Sequence, residues 1–119
     1  MAYVPPNQVT SPKDHWALTC VIYDEGEGGI AVSWGYWDDS RVLAIRWNGT
    51  SDPHKGLGNP QSSGHATWFI IPNALALSTL ETLLHKQNLG NDSLNQECFN
   101  QAIQFIRQNH QDTTSLYEF

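Results

Sequence analysis

The fold is decided by residues 16–47, which read WALTCVIYDEGEGGIAVSWGYWDDSRVLAIRW. Three runs in this stretch are rich in aromatic and β-branched residues, a pattern typical of β-strands. They extend from Trp16 to Asp24, from Ile30 to Trp37 and from Arg41 to Trp47. The acidic, glycine-rich segment 24–29 and the short segment 38–40 have the composition of turns. The sequence therefore predicts a three-stranded antiparallel meander.

A long connection follows the meander. It runs from Asn48 to His65 and is rich in Gly, Pro, Ser and Asn. Connections of this length are uncommon in small domains and are usually functional or disordered. A fourth strand is predicted over Ala66–Ile71, and it ends at Pro72, which lacks the N–H that a strand ladder requires.

Two helices are predicted after Pro72. Leucines at helical spacing favour a first helix between Asn73 and Gly90. Ser93 with Gln96 resembles a capping box, and the apolar stripe that follows favours a second helix.

Strands followed by helices indicate an α+β fold, an antiparallel β-meander of about four strands with two C-terminal helices packed on one face. We expect a single domain over residues 1–119. Its parts are an extended, poorly ordered arm over 1–13, a core over 14–108 and a flexible or docked tail over 109–119.

Alternation of side chains predicts which face of the sheet the helices cover. The face with larger side chains, expected under the helices, carries Trp16, Leu18, Cys20, Ile22, Ile30, Val32, Trp34, Tyr36, Leu43, Ile45 and Trp47. The face with smaller side chains, expected to be partly solvated, carries Ala17, Thr19, Val21, Tyr23, Ala31, Ser33, Gly35, Trp37, Val42, Ala44 and Arg46.

Composition and charge limit the classes of function. Six basic and twelve acidic residues give a formal net charge of -6, whereas a nucleic-acid binder normally carries the opposite sign. No apolar run approaches the roughly 18 residues that indicate a membrane-spanning helix. The sequence does not show a basic start followed by an apolar stretch, which is the pattern of a secretory signal. We therefore expect no direct nucleic-acid binding, no membrane insertion and a cytoplasmic location.

The two cysteines lie far apart in the sequence. Cys20 falls in a predicted strand and Cys98 in a predicted helix, and neither belongs to a C-x-x-C pair. We interpret them as small buried hydrophobic residues of a protein from a reducing compartment. A single bridge between them remains open if that strand and that helix meet.

The residues that often carry catalysis are present without a recognisable spacing. Acidic residues crowd the segments 24–29 and 38–40, but these turns lie at opposite ends of the meander and match no calcium loop. The five histidines form no H-x-x-x-H or H-E-x-x-H pair, and no G-x-S-x-G motif is present. We expect no bound metal and no cofactor.

Two surfaces are the candidates for partner binding. Trp37 and Arg46 fall on the smaller-residue face, where Arg46 could stack on the indole if the register allows. Trp and Arg are both enriched at binding hot spots. The long connection adds the polar residues Asp52, His54, Lys55 and His65.

Three segments carry a resemblance to a small group of uncharacterised bacterial proteins. They are Arg46-Trp47-Asn48-Gly49, Gly58-Asn59-Pro60 and Thr67-Trp68-Phe69-Ile70-Ile71-Pro72, and the resemblance covers about residues 16–85. It implies an accessory protein of a bacterial cell or mobile element, and it implies no activity, cofactor or site residue.

These observations favour a non-enzymatic protein-binding module, an inhibitor or regulator of a protein partner, acting as a monomer or a homodimer. One alternative is a small metal-dependent or hydrolytic enzyme organised around the connection 48–65. Another is a small-ligand binder that uses this connection as a lid.

Overall fold

The computed structural model describes residues 3–52, 56–90 and 92–117, with side chains described as far as residue 109. The chain forms strands β1 (Trp16–Asp24), β2 (Ile30–Trp37), β3 (Ser40–Trp47), β4 (Gln61–Ser62), β5 (His65–Ala66) and β6 (Phe69–Ile71), then helices α1 (Asn73–Asn88) and α2 (Gln96–Tyr117). A four-stranded antiparallel sheet has the order β1-β2-β3-β6. The predicted α+β class is therefore confirmed.

The fourth predicted strand is divided in the structure. Only Phe69–Ile71 joins the large sheet, where Phe69 lies opposite Ile45 and Ile71 opposite Leu43. His65 and Ala66 pair instead with Gln61 and Ser62 in a separate two-stranded hairpin. The connection between β3 and β6 therefore contains its own secondary structure.

The helices cover one face of the sheet and form the larger core with it. Trp34 and Leu43 of the sheet, with Leu80 of α1 and Phe99 of α2, are almost fully buried there. Burying a large apolar side chain contributes roughly 1.5–3 kcal/mol, so this layer supplies much of the driving force for folding.

Two irregularities in β1 change the predicted faces. The register between β1 and β2 shifts between Leu18 and Cys20 and again between Val21 and Tyr23. An extra residue in a strand moves the side chains that follow to the other face. The prediction that Trp16 packs under the helices is therefore wrong, because Trp16 and Leu18 pack on the opposite face. Tyr23, which was expected on that opposite face, belongs to the helix-side core.

The face that we expected to be partly solvated is covered by a second layer. The described part of the N-terminal arm, residues 3–13, packs there with Pro6 and Val9 buried. The indole Nε1 of Trp68 donates a hydrogen bond of 2.6 Å to the Val9 carbonyl, and the ring of Trp68 lies 6.3 Å from that of Trp16. The sheet is consequently enclosed between the helices on one side and the arm with the β3–β6 connection on the other.

A disulfide joins the two cysteines. Cys20 of β1 and Cys98 of α2 are bonded, so the interpretation as two separate buried hydrophobic residues is wrong, and the open alternative of a bridge is the one the structure adopts. Disulfides persist mainly in oxidising compartments, so the cysteines no longer support a reducing one. The bond fastens α2 to the outer strand of the sheet.

Helix α2 continues past the predicted end of the core. Its backbone is helical to Tyr117, which includes most of the segment 109–119. Neither helix, over the residues described, combines the length and the hydropathy needed to cross a membrane.

Candidate functional site

Arg46 is a buried anchor of the long connection. Its side chain is only 3% exposed, and its guanidinium group donates hydrogen bonds to the carbonyl oxygens of Thr67, Leu57 and Pro60. Burial lowers the pKa of Arg46, because desolvation disfavours the charged form. An arginine enclosed in this way holds the connection on the sheet.

The predicted pairing of Trp37 with Arg46 is wrong. Trp37 lies opposite Ser40, whereas Arg46 lies opposite Ala31, so the two residues occupy opposite ends of the β2–β3 ladder. Trp37 stacks on the ring of His15 at 5.3 Å.

An arginine–aromatic stack does form, but with another arginine. The guanidinium carbon of Arg41 lies 4.3 Å from the ring centroid of Tyr36 and 4.5 Å from that of Trp34. Arg41 also donates a 2.7 Å hydrogen bond to the Thr19 hydroxyl. Its contacts therefore tie β3 across the sheet to β1.

The other predicted site residues lie along the connection. Asp52 is exposed, and its carbonyl oxygen accepts a hydrogen bond of 2.8 Å from the Gly56 N–H. His65 is exposed on β5 opposite Ser62. His54 and Lys55 lie outside the described residues, so their predicted roles stay predictions.

Close backbone contacts fix the course of the connection. Trp47 and Asn59 exchange two backbone hydrogen bonds of 2.8 and 3.0 Å, so the chain returns along the end of β3. A Cβ atom on Gly49 would lie 1.7 Å from the Gly56 carbonyl oxygen, which no ordinary side chain could occupy. The part of the connection that the structure describes is thus packed against itself and the sheet.

The connection forms one wall of an apolar groove on the helix side of the sheet. We call it the Trp47 groove. It encloses about 310 Å³ and is lined by Ile30, Ile45, Arg46, Trp47, Asn59, Pro60 and Phe69. Trp47 is 58% exposed and Phe69 57% exposed, although both project from regular strands. These large apolar side chains form an open surface on a rigid base.

The groove exists because the helices do not reach the end of the sheet. Leu43 is buried beneath them, whereas Ile45 and Trp47, two and four residues further along the same face of β3, are exposed. Side-chain alternation predicts Ile45 and Trp47, with Tyr36 at the other end of the sheet, on the buried face, and all three are exposed. Alternation identifies the face of a strand, but it does not show how far a helix extends along that face.

Carboxylates lie in the turn between β1 and β2, which adjoins the end of β3 that carries Trp47. Glu25 Oε1 accepts a 3.0 Å hydrogen bond from the N–H of Ile30, which lies opposite Trp47. Its Oε2 accepts a 2.6 Å hydrogen bond from the Tyr23 hydroxyl and lies 3.3 Å from Lys86 Nζ. The Ile30 N–H and the Tyr23 hydroxyl, with smaller help from Lys86, lower the pKa of Glu25, so this carboxylate stays charged at neutral pH.

Two more carboxylates belong to the same turn. Asp24 Oδ1 accepts a 3.0 Å hydrogen bond from the side-chain amide of Asn48, the residue after Trp47. Glu27 Oε1 accepts hydrogen bonds of 2.8 and 3.0 Å from the backbone N–H and the hydroxyl of Ser51. We call the segment 24–29, which carries these carboxylates, the acidic turn.

The described side chains bring no three histidine, cysteine, aspartate or glutamate residues into a group that could hold a metal ion. Comparison with protein-family models, with curated proteins and with solved structures found no match to this chain. The candidate site is the apolar groove at the end of the sheet that the helices leave uncovered.

Proposed function

We propose that this protein is a protein-binding module that holds a large apolar side chain of its partner in the Trp47 groove. The observation that carries the proposal is the exposure of Trp47, two residues beyond Ile45 on β3, and of Phe69, opposite Ile45 on β6, at the uncovered end of the sheet. Exposed aromatic side chains that surround a depression are typical of binding hot spots. The occupant is an extended segment of a protein partner, whose apolar side chain completes the layer that the helices leave open.

The surroundings of the groove support tight recognition. Its floor is part of the antiparallel sheet, and its Asn59 wall is fixed to Trp47 by two backbone hydrogen bonds. The buried Arg46 holds Leu57 and Pro60, which lie before and after Asn59 in the chain. A preformed site loses little conformational entropy on binding, so more of the contact energy contributes to affinity.

The compartment proposed for this module follows from the disulfide. The interpretation of Cys20 and Cys98 as unpaired residues favoured a reducing compartment, and these two cysteines are paired. We therefore place the module in an oxidising environment, where it inhibits or regulates a protein partner. Thiol titration of protein taken from its native host without reducing agent tests this placement, and two titratable thiols would contradict it.

The binding proposal is tested by selecting a random peptide library on the immobilised protein and measuring the affinities of the selected peptides. Selected peptides should carry a large apolar residue and should lose at least about 30-fold in affinity on the Trp47→Ala variant, since hot-spot truncations cost about 2 kcal/mol or more. Trp37→Ala is the matched control, because Trp37 is a partly exposed tryptophan at the far end of β2.

Stability of the variants separates binding from folding. Trp47 is more than half exposed, so Trp47→Ala should unfold at nearly the wild-type urea concentration. Peptides that bind the Trp47→Ala and Trp37→Ala variants equally well would refute the groove as the binding surface. Failure to select any peptide that depends on Trp47 would do the same.

A further inference from the structure

We infer that the outer edge of β1 is a second binding surface, which receives an extended segment of a protein partner as an added strand. β1 and β6 are the two outermost strands of the large sheet. This surface therefore lies at the opposite edge of the sheet from Phe69, which lines the Trp47 groove. Binding at β1 goes beyond the proposed function, because it does not involve Trp47.

A short segment of the chain already occupies part of the position next to β1. The backbone N–H of Asp24 donates a 3.0 Å hydrogen bond to the Ser93 carbonyl oxygen, and the N–H of Asn95 donates one of 2.7 Å to the Ile22 carbonyl oxygen. This is the pairing of an antiparallel strand. The chain then enters α2 at Gln96 and does not continue along β1. A fifth strand position is thus begun by residues 93–95 and left unfilled beyond them.

The unfilled part of this position lies beside residues 17–21, which we call the open edge. The chain also closes its other end, because the N–H of Trp16 donates a 2.8 Å hydrogen bond to the Pro12 carbonyl oxygen. Over the described residues, β1 pairs with β2 on its inner side, and no segment pairs with the outer side of 17–21. At the rise of a β-strand the open edge spans about 17 Å. Backbone donors and acceptors at strand spacing are matched by another extended polypeptide, which is the basis of recognition by strand addition.

Two depressions beside the open edge give room for the side chains of an added strand. One encloses about 670 Å³ between β1 and the N-terminal arm, and the other encloses about 270 Å³ between β1 and α2. Beyond β1 and the disulfide, both are lined by polar side chains, namely Asn7, Thr10 and Lys13 in the first and Asn95, Glu97 and Gln101 in the second. Side chains of a strand alternate between its two faces. The added segment is therefore polar on both faces, unlike the apolar occupant of the Trp47 groove.

An extended segment fits the open edge better than a second copy of this chain does. The register of β1 shifts between Leu18 and Cys20, and bulges of this kind discourage two sheets from pairing edge to edge. In an antiparallel pair of β1 strands centred on 17–21, the 93–95 segment of one copy would occupy the position that the start of β1 in the other copy needs. A single strand that ends where residues 93–95 begin avoids this overlap.

The test selects a library of six-residue peptides on the immobilised full chain. The library contains only Ser, Thr, Asn, Gln, Lys and Glu, so it offers no large apolar side chain to the Trp47 groove. Analogues of each selected peptide then carry one N-methyl group at successive residues, and calorimetry measures their affinities. N-methylation of every second residue should weaken binding about fivefold or more, because it removes a hydrogen bond to β1. At the residues between them the N–H points away from β1, so the affinity should change by less than about twofold.

Variants of the arm place the selected peptides on the protein. Asn7→Trp puts a large ring into the depression beside β1 and should weaken the peptides about tenfold or more. Gln8→Trp is the matched control, because Gln8 is the exposed neighbour in the same turn (Pro6–Gln8) and does not line that depression. Gln8→Trp and Trp47→Ala should both leave the affinity almost unchanged. Urea unfolding should give similar midpoints for both arm variants, since both residues are exposed.

Each outcome bears on this inference separately from the proposed function. Equal weakening by N-methyl groups at successive residues would overturn strand addition. Equal effects of Asn7→Trp and Gln8→Trp, or a selection that yields no binding peptide, would overturn the open edge as a binding surface. Loss of binding in Trp47→Ala would place the peptides in the groove, which would overturn this inference and support the proposed function.

Discussion

Removal of the Cys20–Cys98 disulfide should destabilise the protein by a large part of its total stability. The bond closes a loop with a sequence separation of 78 residues. The loop-entropy relation gives about 4.5 kcal/mol at 25 °C for a loop of that length, against roughly 5–15 kcal/mol for the stability of a typical domain. For a chain of this length the entropy of unfolding is about 250 cal/mol/K, so the loss corresponds to a fall in Tm of roughly 18 °C.

The effect should begin at the contact between α2 and the sheet. Cys98 is buried next to Phe99 and Ala102, and Cys20 lies on the outer strand β1. The backbone hydrogen bond from Asn95 to Ile22, 2.7 Å long, also joins this region to β1. Reduction should therefore loosen the start of α2 before the centre of the sheet.

The assay is urea unfolding followed by tryptophan fluorescence. It compares oxidised protein, reduced protein and the double variant Cys20→Ala with Cys98→Ala under identical conditions. Gln101→Ala is the control, because this exposed residue lines the same surface depression as the disulfide without belonging to it. Hydrogen exchange of α2 measures the local effect. Equal unfolding midpoints for oxidised and reduced protein would refute the reasoning.

Three further predictions concern the long connection and the exposed histidine. Arg46→Met should lower the free energy of unfolding, measured with urea, by about 2–4 kcal/mol, because buried carbonyl oxygens lose charged donors. It should also expose the connection 48–65 to proteases. An Arg46→Met variant that resists proteolysis as well as the wild type would contradict the anchoring role. Gly49→Ala should destabilise the protein strongly, since the new Cβ would overlap the backbone of Gly56. Gly64→Ala has open space around the Cβ and a φ of +78°, so it should cost only about 1 kcal/mol of stability. Similar urea-unfolding midpoints for the two variants would show that the contact between Gly49 and Gly56 is not tight. The hydrogen bond to Asp38 raises the pKa of His15. This pair should therefore stabilise the fold below the unfolded-state pKa of about 6.5 and lose its effect as the pH rises through the higher folded-state pKa. NMR titration should show a lower His15 pKa in the Asp38→Asn variant, and an unchanged value would disprove the pairing.

The secondary structure could be predicted because it depends on local patterns. The strands at Trp16–Asp24 and Ile30–Trp37 have the predicted boundaries, and both helices begin within a few residues of their sequence signals. Alternation of apolar and polar side chains, turn-forming residues and apolar residues at helical spacing involve only neighbouring positions, so they can be recognised in the sequence. The α+β class follows from their order along the chain.

The candidate site depends on relations that alternation does not encode. Whether Trp47 is core or surface depends on how far α1 and α2 extend over the sheet, which follows from packing between distant segments. The face of Trp16 depends on a register shift beside Thr19 that the side-chain pattern alone does not reveal. The sequence pattern identified Arg46 as a candidate binding residue. Only the structure of the connection that returns along the sheet shows that its guanidinium group donates hydrogen bonds to carbonyl oxygens and does not stack on Trp37.

The sequence by itself determined the order of strands and helices, the negative charge and the candidate residues, because these are properties of neighbouring positions. Only the tertiary structure decided which aromatic residues are exposed, that Cys20 meets Cys98, and that the arm covers the second face of the sheet. The physical reason is that burial and pairing are set by contacts between segments far apart in the chain. Those contacts depend on the register and length of every element between them.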